Sequence, residues 1–130
     1  MEKPRALRPN RFSLEARLRS FRYAFEGLAF MLRTQHNAWI HLIATILVLG
    51  VAVLLRISQS DWRWVVLAVF LVWAAEALNT AVEYLCDVVA PGYSIAVKRA
   101  KDSAAGAVLL SALSSVCIGA LTFLPYLLRR

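Results

Sequence analysis

Five polar residues fall on one stripe of an otherwise apolar stretch: Glu76, Asn79, Thr80, Glu83 and Asp87. At 100° per residue of an α-helix they occupy an arc of about 100° and cover about 16 Å of the axis. Ionisable groups inside a membrane span are costly and mark functional positions by default. Three carboxylates on one stripe repel one another unless a divalent cation, a lysine or protonation neutralises them. Two readings follow. One is a polar helix–helix seam, hidden in an oligomer of a non-catalytic membrane protein. The other is a site for a hard cation with oxygen ligands, which uses several acids where a hydrogen-bonded seam rarely needs three.

Cationic groups come soon after the stripe, as Lys98, Arg99 and Lys101, with Asp102 beside them. Asp102 and Ser103 are also suited to cap a helix that begins there. Ala104, Ala105, Gly106 and Ala107 then leave a smooth surface for a close neighbour, either a helix or a bulky ligand. Basic residues, acids and a helix N-terminus at one membrane face suit a polyphosphate. The chain has no Walker A sequence and no kinase glycine-rich loop, so a nucleotide site here is of another kind. His36 and His41 stand five apart, do not share a helix face and make a poor metal pair. Cys86 and Cys117 lie in different apolar blocks without metal-ligand spacing and read as small apolar residues rather than a disulfide.

The elements that must position these groups are membrane helices. The chain has 130 residues, of which 60% are hydrophobic, against roughly 45–50% in soluble domains. Its mean hydropathy is +0.60. A soluble fold this small cannot hide that much apolar surface. The composition excludes a soluble enzyme, a disordered chain and a secreted disulfide scaffold, and predicts a small all-α integral membrane protein of one domain. Residues 1–11 form a tail with Pro4 and Pro9, and no secretory signal fits there. Residues 12–34 read as an amphipathic helix in the membrane interface: Leu14, Leu18, Phe21, Phe25, Leu28 and Leu32 recur at helical spacing, with arginines on the other sides. Spans are expected at 38–56, 62–89 and 102–128, each near or above the ~20 residues that cross a hydrocarbon core. The first is apolar apart from His41 and Thr45. Arg56–Arg63 is expected as a short loop, and residues 90–102 as a longer one opened by Pro91-Gly92. Trp39, Trp62 and Trp64 mark span ends, whereas Trp73 is mid-span packing.

A formal charge of +7 is better read as headgroup contact and topology than as nucleic-acid binding, since no nucleic-acid motif accompanies it. The N-terminal side and the second loop together hold eleven of the fifteen basic residues. The positive-inside rule then places the N-terminus in the cytoplasm.

Glu76-Ala-Leu-Asn79-Thr-Ala-Val-Glu83, followed by Asp87, Pro91-Gly-Tyr93 and Arg99-Ala-Lys101-Asp102, closely resembles the prokaryotic diacylglycerol kinase and undecaprenol kinase family. The resemblance runs from about Leu18 to Pro125. It implies a homotrimer in the bacterial cytoplasmic membrane, each subunit with a surface helix and three spans, and composite active sites at the cytoplasmic face. It implies transfer of the γ-phosphate of ATP, with Mg²⁺, to the hydroxyl of a membrane lipid. By motif, Glu76 is the implied general base and Asn79 positions the hydroxyl. Glu83 holds the metal, and Lys101 and Asp102 contact the nucleotide. Tyr23, Gly92, Tyr93 and Ser94 match positions that line the ATP site. Two departures stand out. The family often has a second metal-binding Glu before the first span, where this chain has Gln35. The usual Pro-Glu-Tyr-His is Pro-Gly-Tyr-Ser here. The Pro91-Gly-Tyr loop and the run Ser20-Phe21-Arg22-Tyr23-Ala24 resemble the undecaprenol kinase branch.

Overall fold

Ser13 starts the first helix by capping it, its side chain accepting from the amide of Ala16 at 3.4 Å. The computed structural model describes residues 13–128; the expected tail at 1–11 and the two C-terminal arginines lie outside them. Helix α1 (Leu14–Thr34) carries ion pairs one turn apart, Glu15 with Arg19 and Glu26 with Arg22, the spacing that supports an exposed helix. Leu14, Leu18, Phe21 and Phe25 are not covered by the rest of the chain, while Met31 near the far end is buried. An uncovered apolar stripe beside charged flanks is what an interfacial helix offers to lipid.

Gln35 alone separates α1 from α2 (His36–Leu54). Its extended backbone (φ −109°, ψ 117°) lets its amide bond the carbonyl of Met31 while the chain changes direction. Helix α2 ends in a Schellman motif, with Ile57 N–H bonded to Ala52 O at 3.3 Å and Arg56 N–H to Val53 O at 3.1 Å. Arg56 takes the left-handed position, φ 50°, that glycine usually fills. The apolar contact expected of this motif is present, because Ala52 and Ile57 belong to one buried cluster with Val65.

Helix α3 (Gln59–Val89) begins at its cap Ser58, and α4 (Ile95–Leu128) follows the Pro91-Gly92 turn. Three helices, α2, α3 and α4, are long and apolar enough to cross a membrane. Their boundaries differ from those read in the sequence. Helix α2 starts at residue 36 rather than 38 and α3 at 59 rather than 62. The expected loop at 90–102 is mostly helical, because α4 starts at Ile95. Lys98 and Asp102 pair across one turn and keep this charged stretch helical, so polarity alone mimicked a loop. Asp102 and Ser103 therefore lie inside α4 and do not cap it. Pro125 also lies within α4, in its last turn.

Helix α4 packs chiefly along α3. Ser115 Oγ donates to the carbonyl of Ala68 across that contact at 3.1 Å. Helix α2 joins α3 through Trp73, whose Nε1–H donates to Thr45 Oγ1 at 3.0 Å. Trp73 is thus a polar tie as well as packing. The small surface at Ala104–Ala107 is not filled by this chain, since a Cβ on Gly106 would meet nothing within 4 Å. Cys86 and Cys117 are both free thiols.

Candidate active site

Helix α3 sets the expected acidic stripe along one face, but the three acids meet different fates. Glu76 is 1% exposed, and neither of its carboxylate oxygens has a hydrogen-bond partner among the described residues. The nearest cationic candidate is His41 on α2, Nε2 to Oε2 4.0 Å. Thr80, one turn on, turns its hydroxyl back to the backbone carbonyl of Glu76 at 3.0 Å and leaves the carboxylate alone. A buried carboxylate without partners costs several kcal/mol. Such a group persists where it has work to do.

Glu83 is held from two sides. Asn79 Nδ2 donates to its Oε1 at 3.0 Å, and Gln35 Nε2 donates to its Oε2 at 3.1 Å. Gln35 reaches it because the α1–α2 joint lies level with this turn of α3. The joint thus brings together residues 48 positions apart. Asn79 is 4% exposed and its Oδ1 accepts no hydrogen bond from a described residue. Asp87 is instead paired with Lys101 of α4. Two of the three acids are thus held separately, Glu83 by two amides and Asp87 by a lysine, while Glu76 is left without a partner.

The other sequence-derived residues lie around this centre. Lys101 is half-buried against Asp87, and Asp102 is exposed and paired with Lys98. Tyr23 of α1 lines an apolar crevice against Ala77, Thr80, Ala81 and Tyr84 of α3. Phe30 and Tyr84 meet edge-to-face there, ring centroids 4.8 Å apart. Gly92, Tyr93 and Ser94 sit on the α3–α4 connection; Tyr93 is 86% exposed, and a Cβ on Gly92 would meet nothing. The structure brings Gln35, Asn79 and Glu83 into contact and joins Lys101 to the stripe. It does not bring Gly92, Tyr93 or Ser94 against the acids within one chain. His41 was dismissed in the sequence as half of a poor metal pair, yet it lies beside Glu76. Its signal was its place as the one ionisable group within the apolar run of the first span.

A family model described as prokaryotic diacylglycerol kinase matches residues 22–123. The chain belongs to that family. A protein named diacylglycerol kinase from Synechocystis sp. is 41% identical over 110 residues, which cover 84% of this chain and 63% of that relative. The chain thus spans less than two thirds of the length of that relative. A protein named undecaprenol kinase from Bacillus subtilis is 36% identical over 118 residues, covering 91% of this chain and 96% of the relative. The prokaryotic diacylglycerol kinase family consists of kinases that phosphorylate lipid alcohols, and kinase activity implies ATP as donor. The stripe on α3 and the joint at Gln35 both fall inside the matched residues.

Among the described residues no three His, Cys, Asp or Glu side chains gather as a metal cluster. Mg²⁺ keeps several waters and is commonly held by one or two carboxylates together with substrate phosphates. Glu83, flanked by the amides of Gln35 and Asn79, is a donor set of this sort.

Proposed function

We propose that this protein is an ATP-dependent lipid kinase of the bacterial cytoplasmic membrane that acts as a homotrimer, with undecaprenol as acceptor. The observation that carries the kinase reading is Glu76: a carboxylate buried in a membrane helix, unpartnered among the described residues, about two turns from a second acid held between two amides. The acceptor is supported by the near full-length correspondence with the Bacillus subtilis relative and by the Pro91-Gly-Tyr and Ser20–Ala24 runs. Diacylglycerol, named by the Synechocystis relative, is the competing acceptor. The trimer is supported by the family resemblance, and the cytoplasmic N-terminus by the eleven basic residues that the positive-inside rule assigns to that side.

Phosphoryl transfer has a loose transition state, so positioning and charge neutralisation do most of the work. In this reading Glu76 takes the proton from the lipid hydroxyl as that oxygen bonds to the γ-phosphorus. The bond from the γ-phosphorus to the bridging oxygen breaks, and its electrons leave with ADP. Asn79 orients the hydroxyl through its unpartnered Oδ1. Glu83 and Gln35 would hold Mg²⁺, which supplies positive charge to the phosphates when bound. Lys101 and Asp102 contact the nucleotide, and Tyr23, Gly92, Tyr93 and Ser94 line its site. Glu76 and Glu83 stand about 10 Å apart along the axis, which leaves space for a phosphoryl group between them.

Transfer of labelled γ-phosphate from ATP in detergent–lipid micelles tests this, with undecaprenol and diacylglycerol offered separately and Mg²⁺ present. Label in undecaprenol is expected to exceed label in diacylglycerol. The reverse ratio changes the acceptor and keeps the kinase. No label in either, from folded protein, overturns the kinase reading in favour of a non-catalytic membrane protein whose stripe is an oligomer seam.

A further inference from the structure

A general base that accepts a proton in each turnover must lose it before the next. Glu76 is poorly placed to do so directly, because it is almost wholly buried. The nearest titratable side chain is His41, with Nε2 4.0 Å from Oε2. At 16% exposure it is more open than the 1% exposed carboxylate. It lines a cavity of about 290 Å³ between α2, α3 and α4. The gap closes to hydrogen-bond range with a shift of about 1 Å.

The facing of these two groups is built into the helix pair. Trp73, one turn before Glu76, donates to Thr45 Oγ1, and Thr45, one turn after His41, donates to the His41 carbonyl at 2.7 Å. This tie holds the turn of α2 that carries His41 against the turn of α3 that carries Glu76. The other groups around Glu76 do not compete. Glu83, on α3 itself, is engaged by Gln35 and Asn79. Helix α4 offers the cavity only uncharged side chains, such as Ala112, Ser115 and Val116. From α1, Tyr23 lines a separate crevice on the adjoining strip of α3.

Resting on the kinase reading above, we infer that His41 is a positioning residue for the reaction: its Nε2 takes the proton that Glu76 has accepted from the lipid hydroxyl and so restores the carboxylate. Nε2 then gives that proton up to water through the exposed part of the ring, Nδ1 keeps its own, and the imidazole returns to the same neutral tautomer. Imidazole is the side chain suited to this exchange near neutral pH. His41 touches neither nucleotide nor lipid in this scheme and acts through Glu76.

The test is the pH profile of kcat for lipid phosphorylation, measured with ATP saturation curves for wild type, His41→Gln and His41→Ala. Glutamine keeps the polarity and approximate size of the side chain but carries no proton near neutral pH. His41→Gln is expected to lower kcat by roughly tenfold, less than loss of a base itself, with the KM for ATP unchanged. It is also expected to flatten the limb on which wild-type kcat rises with pH. His41→Ala enlarges the cavity, and added imidazole is expected to restore part of its activity in proportion to buffer concentration. A His41→Gln enzyme with wild-type kcat and the same pH limb overturns the relay alone. Equal loss at every pH, with no rescue by imidazole, also overturns it and leaves His41 a packing residue. Wild-type protein that labels no lipid overturns the kinase reading and the relay together.

Discussion

Helix α3 carries acids at both ends, and the chain treats them in opposite ways. Near its first turn, Asp61 accepts from Ser58 Oγ at 2.7 Å and from Tyr126 OH at 2.6 Å, while the Ser58 amide donates to the same phenolic oxygen at 2.8 Å. Trp62, Val65, Ile57 and Phe123 pack around that knot. Further along, Glu76 and the Oδ1 of Asn79 have no partner among the described residues. Buried polar groups in folded proteins are paired as a rule, and each exception calls for an explanation. The first end is a joint, with its polar atoms spent on holding α2, α3 and α4 together. At the second end Glu83 and Asp87 are paired too, and only Glu76 and the Oδ1 of Asn79 are left unspent.

The comparison breaks most easily at Glu76. Glu76→Gln is expected to lower kcat by roughly 10²–10⁴-fold while ATP binding stays nearly unchanged; near-normal turnover would remove Glu76 from the role of base. Glu83→Gln acts through the metal and is expected to raise the Mg²⁺ needed for half-maximal rate by roughly tenfold. Gln35→Glu restores the acid usual in the family and is expected to move the same titration the other way by a smaller factor. An unchanged Mg²⁺ titration in both variants would separate Glu83 from metal binding. At the joint, substitutions should alter stability and spare kcat. Tyr126→Phe removes the hydroxyl that bridges Ser58 and Asp61, and its melting midpoint in detergent is expected to fall by roughly 2–5 °C. The smallest effect is expected at Arg56, whose φ of 50° suits glycine. Arg56→Gly is expected to raise the midpoint by roughly 1–3 °C, and a fall would show that the arginine side chain offsets its backbone strain.

The sequence made the joint almost invisible and the reactive end plain. The stripe from Glu76 to Asp87 could be read because one helix carries all of it, and helical periodicity is a local property. Asp61 and Tyr126 are 65 residues apart, and nothing in their spacing predicts a bond. His41 shows the same limit: its partner is on the next helix, and the antiparallel register that aligns them is set by Trp73 and Thr45. Gln35 was noticed only as a departure from a family pattern; its contact with Glu83 depends on the direction in which α1 turns into α2. The start of α4 was misplaced because hydropathy measures where a helix leaves the apolar layer, whereas Lys98 and Asp102 continue the same helix beyond it.

Helix α2 has 19 residues, while α3 has 31 and α4 has 34. At 1.5 Å per residue these are about 28, 46 and 51 Å, beside a hydrocarbon layer of about 30 Å. The short helix matches the layer in length, and the two long ones run beyond it on the side where α1 joins α2. Counted from Gln59, Glu76 stands about 26 Å along α3 and Glu83 about 36 Å, so a layer of that thickness starting at Gln59 would end between them. On the kinase reading proposed above, the overhang would work as a phase boundary fixed in protein. A water-insoluble alcohol and a membrane-impermeant nucleotide would then meet across two turns of one helix, and neither would have to leave the solvent that dissolves it.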